Sequence, residues 1–111
     1  MLHLPRQRPQ YKESIGFAAS VAHVSADQAG MPDMEWAGEV DHKCWTNPTT
    51  IQAGSVLYYG HVMDGEWDFR FDRVVVLGLT PQRVKFITAT GYVSYAKADK
   101  LYQYHSSKEI T

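Results

Sequence analysis

Two stretches rich in β-branched and aromatic residues, Val56 to Met63 and Glu66 to Asp72, are separated only by Asp64-Gly65. Asp-Gly supplies the positive φ values of a two-residue hairpin loop, so these residues predict an antiparallel hairpin. Pairing about that loop sets Val62 against Trp67, Gly60 against Phe69 and Tyr58 against Phe71 on one face, an apolar set that must turn to a core. The other face carries His61 against Asp68 and Tyr59 against Arg70, an ion pair and a cation-π pair directed to solvent. Hydrophobic pattern and register agree, which constrains this part of the chain to sheet.

The rest of the chain follows the same pattern. Arg73 falls where the alternation calls for an apolar residue, which predicts a bend or bulge near 72–73 before a strand over Val74 to Leu79. Thr80-Pro81-Gln82-Arg83 suits a type I turn leading into a strand over Val84 to Thr88. Thr90-Gly91 turns into Tyr92 to Tyr95, Lys97 to Lys100 fits one tight helical turn, and Leu101 to Tyr104 is a last strand. Val40 to Trp45 reads as a short first strand, followed by the turn residues 46–50.

The N-terminal third differs. Residues 1–13 hold two prolines, two arginines and no periodicity, and read as a flexible arm. Over 14–29, Phe17, Val21, Val24 and Gln28 share a helical face, with Ser14 as N-cap, Gly30 as C-terminal stop and Pro32 beyond it. Ile15, Phe17, Ala19 and Val21 also alternate in strand fashion, so helix and strand compete there, and the caps and alanines favour helix. Residues 30–39 read as a connector and 106–111 as a frayed tail.

A chain of 111 residues suits one domain with one real core, and its three Trp, seven Tyr and four Phe favour half-buried sheet surfaces. The fold expected is therefore mainly β, a small barrel of about five strands over 40–105 with an N-terminal arm and a short helix. The single Cys44 excludes an internal disulfide, and His42, Cys44 and His61 match no zinc spacing, so neither metal nor other cofactor is expected. No apolar stretch approaches a signal h-region or a membrane span, which makes a cytoplasmic protein without a membrane partner the expectation.

Ala53-Gly54-Ser55-Val56-Leu57-Tyr58-Tyr59, Leu79-Thr80-Pro81-Gln82-Arg83-Val84-Lys85-Phe86 and Ala98-Asp99-Lys100-Leu101-Tyr102 together give a cadence that resembles an SH3-like barrel of the KOW or Tudor kind. The cadence covers about residues 40–105 and is also similar to small accessory proteins of tailed bacteriophages. The resemblance implies a binding module, since SH3-like barrels host peptide binders, nucleic-acid binders and structural modules alike.

No phosphate-binding glycine loop, dinucleotide fingerprint, HExxH or nucleophile-elbow motif occurs, and no enzymatic activity is expected. Five acids and no Lys or Arg lie between Asp27 and Asp41, whereas Arg73 to Lys100 holds five bases against Asp99. The leading expectation is a cellular protein as partner, bound and modulated through Trp36, Tyr59, Arg70, Tyr92 and Tyr95, residue types that dominate interface hot spots. The second is nucleic-acid binding through Arg73, Arg83, Lys85, Lys97 and Lys100 with tyrosines as stacking platforms. A virion assembly component forming a homo-oligomer is the third.

Overall fold

The computed structural model describes residues 3–37, 40–62 and 69–105, with side chains from Gly16 onward. One helix, α1 (His3–Gln28), precedes seven strands: β1 (Met34–Ala37), β2 (Trp45–Thr46), β3 (Val56–Val62), β4 (Phe69–Leu79), β5 (Val84–Thr88), β6 (Val93–Ala96) and β7 (Leu101–Tyr104). A 3-10 turn at Ala98–Lys100 leads into β7, where one tight turn was expected. All pairings are antiparallel in the order β2-β7-β3-β4-β5-β6, with β1 on β4 in line with β5. The chain is mainly β, as expected, but among the described residues there are seven strands rather than about five, and the sheet is not closed into a barrel.

The hairpin register is offset from the expectation by two residues. Val62 pairs with Phe69, His61 with Arg70, Gly60 with Phe71 and Tyr59 with Asp72. Met63, Asp64-Gly65, Trp67 and Asp68 lie outside the described residues, so the two-residue loop does. Because side chains alternate with a period of two, an offset of two leaves every described residue on its expected face. Tyr58, Gly60 and Phe71 are accordingly buried together.

No break occurs at 72–73: β4 runs through, and its register shift lies between Val76 and Gly78. Phe71, Arg73, Val75 and Leu77 all turn to the same face, and Arg73 keeps its place in that row because its charge is paired there.

The helix is longer than expected, and residues read as an arm are helical from His3. Its C-terminus closes as a Schellman motif: Met31 N–H donates to Ala26 C=O, Gly30 N–H donates to Asp27 C=O, and Gly30 takes φ 75°. The face it buries is not the one its large apolar residues mark. Ala19 is buried and Ala22 half-buried on Val56, Val75, Leu77 and Ile87, and Ala26 is buried too, whereas Phe17 is 72% exposed and Val21 and Val24 are exposed as well. Alanines let the helix backbone lie close to a sheet already crowded with Val and Leu, a fit the bulkier stripe would prevent.

On the helix face, beyond α1, Trp45 stacks on Phe71 with ring centroids 3.7 Å apart and meets Tyr58 edge-on. Val40 and Cys44 pack on this cluster, and burial pushes the Cys44 thiol pKa up. Val40 to Trp45 forms no strand of its own: Cys44 and Trp45 N–H donate to Asp41 C=O in a turn, and β2 begins only at Trp45. The opposite face holds a second core of Leu57, Val74, Val76, Val84, Phe86 and Leu101. Among the described residues, no helix is long and apolar enough to cross a membrane.

Candidate functional site

Past Tyr59, the apolar core of the helix-free face gives way to a polar and aromatic surface. β3, β4 and β1 lie side by side here, and their register puts His61, Arg70 and Trp36 abreast, with Tyr59, Asp72 and Met34 abreast one step along. Asp72 organises the centre. Arg70 Nε donates to both its carboxylate oxygens, at 2.9 and 3.1 Å, and His61 Nε2 lies 2.8 Å from Oδ2. The Tyr59 ring stacks on His61 at 4.7 Å and leans on Phe86.

Arg70 is held from a second side, with Cζ 5.8 Å from the centroid of the Trp36 ring. The guanidinium is thus oriented by a carboxylate below and an indole beside it, which fixes a side chain that otherwise carries large rotamer freedom. Trp36 remains 43% exposed. Met34, Arg70, Asp72, Thr88, Thr90 and Tyr92 border a cleft of about 370 Å³, within the range of small-molecule or peptide side-chain pockets. Tyr92 stands at its rim, 72% exposed, where Gly91 at φ 89° turns β5 into β6.

Four of the five residues expected to bind protein, Trp36, Tyr59, Arg70 and Tyr92, are therefore brought to one surface. Tyr95 is not: it pairs with Lys85 and lies on the helix face. Sequence reasoning paired Arg70 with Tyr59 and His61 with Asp68. The structure sets Arg70 against Trp36 of β1, a segment that the sequence reads as connector, and His61 against Asp72, because the hairpin register is offset by two. The signal for β1 was present in Met34-Glu35-Trp36-Ala37, an alternation too short to separate from loop.

No protein-family model, curated protein or solved structure matches this chain.

The residues expected to bind nucleic acid do not form one face. Arg73 is 3% exposed, with Nη2 2.6 Å from Asp27 and 2.7 Å from Asp33, and it also donates to Met31 C=O, so it cannot meet a phosphate. Lys85 borders a cleft beneath α1, with Gly16, His23 and Val93. Arg83 sits with Ala98 at the opposite end of the sheet, where the Val84–Ala96 pairing also brings Lys97, and Lys100 closes the 3-10 turn. Among the described residues, no three His, Cys, Asp or Glu side chains are grouped as metal ligands.

Proposed function

We propose that this chain is a non-catalytic binding module that engages a protein partner through the surface of Trp36, Arg70 and Tyr92. The observation that carries the reading is an oriented Arg70 and an exposed Tyr92 at one cleft, with the exposed Trp36 ring against that Arg70. These three residue types supply most of the free energy at protein interfaces, and a pre-oriented Arg loses little entropy when it binds. The neutral balance of Arg70 against Asp72 fits a protein better than a polyanion, whose binding needs several cations on one face. The resemblance of 40–105 to SH3-like modules and to phage accessory proteins belongs to the same proposal, with modulation of a cellular protein as the role.

The test is recovery of partners on the tagged protein from bacterial lysate, with and without nuclease and across a salt series, beside Trp36→Ala and Tyr92→Ala. A discrete protein retained after nuclease and at high salt, and lost with either substitution while the circular dichroism spectrum is unchanged, is the expected result. Recovery of only nuclease-sensitive, salt-labile material would transfer the function to nucleic-acid binding. A partner retained by both variants would move the interface elsewhere.

A further inference from the structure

β6 is an end strand of the sheet, and no described residue pairs with its outer edge. An unpaired edge is a template for another strand unless charge, proline or a bulge blunts it, and the run Tyr92-Val93-Ser94-Tyr95-Ala96 has no charge and no proline. The other described end, β2, is only two residues long.

Which groups face outward follows from the hairpin. Thr88 N–H donates to Tyr92 C=O at 2.8 Å, which makes 88 and 92 a hydrogen-bonded pair. Along the register Ile87–Val93, Phe86–Ser94, Lys85–Tyr95 and Val84–Ala96, such pairs alternate, so Ser94 and Ala96 bond inward to β5. Val93 and Tyr95 therefore present their N–H and C=O groups to the free edge. Their side chains are on the helix face, 45% and 49% exposed.

From this geometry we infer that β6 pairs antiparallel with β6 of a second copy of the chain, about a two-fold axis passing beside Ser94. Only a register centred on Ser94 uses all four outward groups: Val93 meets the second copy's Tyr95 and Tyr95 meets its Val93, which makes four hydrogen bonds. In this register each exposed valine lies against an exposed tyrosine, an aromatic on β-branched pair on both sides of the axis. Val93 also borders the cleft of about 370 Å³ beneath α1, so the incoming tyrosine extends that apolar wall. The two serines face each other at a non-hydrogen-bonded position, where Cα atoms come within about 4.5 Å and small side chains fit. The contact is isologous and closes at two copies. Its Val93–Tyr95 pairs lie on the helix face, whereas the same register sets Tyr92, on the other face, beside the second copy's Ala96.

The experiment is sedimentation equilibrium of the purified full chain over a concentration series, with far-ultraviolet circular dichroism as the control for folding. The wild type is expected to reach twice 12.6 kDa. Val93→Lys and Tyr95→Glu are each expected to sediment as monomers, and the two substitutions together to restore the dimer, because each lysine then faces a glutamate. In a Cys44→Ser background, Ser94→Cys is expected to form an intermolecular disulfide on mild oxidation, and Tyr95→Cys is not. A wild type that stays at 12.6 kDa at millimolar concentration, or a dimer unaffected by both single charges, would overturn the inference.

Discussion

The Arg73 guanidinium lies 2.6 Å from the Asp27 carboxylate, joining the middle of β4 to the last turn of α1. Asp33 completes the clamp at 2.7 Å, and the Met31 carbonyl accepts from Nη1. A charge at a core position of the strand is thereby the tie that holds the helix and the 31–33 segment on the sheet. The two carboxylates are themselves mostly exposed, so their loss and the loss of the arginine are not equivalent.

The double substitution Asp27→Asn with Asp33→Asn leaves a buried guanidinium without a counter-charge and is expected to cost about 3 kcal/mol in urea unfolding. Either single substitution costs less than half of that, since one carboxylate remains. Arg73→Met, which removes the buried charge and keeps much of the volume, is expected to cost less than the double change.

Gly60 holds the aromatic cluster together by having no side chain. A Cβ there would lie 2.7 Å from Tyr102 Cε1 and 2.9 Å from ring atoms of both Phe69 and Phe71. Three rings cannot all give way in a packed layer, so Gly60→Ala is expected to destabilise by about 1–3 kcal/mol through overpacking, seen as a lowered urea midpoint.

The Tyr58 hydroxyl donates to Pro32 C=O at 2.9 Å, and burial pushes its pKa up to about 12. Below pH of about 10 the phenol is protonated in both folded and unfolded chains and contributes no pH dependence. Above that, the unfolded chain releases a proton that the native state keeps, so stability falls as pH rises towards 12, by about 2 to 3 kcal/mol in all. Tyr102, raised in the same direction by burial, adds to the fall. Tyr58→Phe is expected to lose about 1 kcal/mol at neutral pH and to show a shallower decline in alkaline unfolding curves.

The helix faces give a paired prediction. Phe17→Ser and Val24→Ser are expected to change stability by about 0.5 kcal/mol or less, because both side chains stand in solvent. Ala19→Leu, a conservative change on a hydrophobicity scale, is expected to cost about 1–3 kcal/mol by forcing α1 off the sheet. Thermal unfolding of the three variants distinguishes this orientation from one in which the Phe17 stripe is buried.

Local rules carried the sequence reading a long way. Turn chemistry at Thr80-Pro81 and Thr90-Gly91, the stop at Gly30 and the period-two runs placed β3, β5, β6, β7 and the 3-10 turn close to where they lie, because each depends on residues near one another in the chain. Faces were legible even where register was not, since an offset of two preserves them. The hot-spot types at the candidate site were visible as well, four of the five converging.

What only the tertiary structure decided are the relations between distant residues. Alternation could show that Arg73 occupies an apolar position, but not that Asp27 and Asp33 would come to it from far along the chain. Hydrophobicity ranked Phe17 and Val21 above Ala19 and Ala22, whereas the space left above Val75 and Leu77 admitted only the alanines. The four-residue β1, which brings Trp36 to Arg70, has too few contacts of its own to specify a strand and forms because β4 offers it an edge. Backbone preference and side-chain alternation are properties of neighbouring residues and can be read in order; pairing of charges and the fit of surfaces belong to the folded chain, where sequence distance no longer measures proximity.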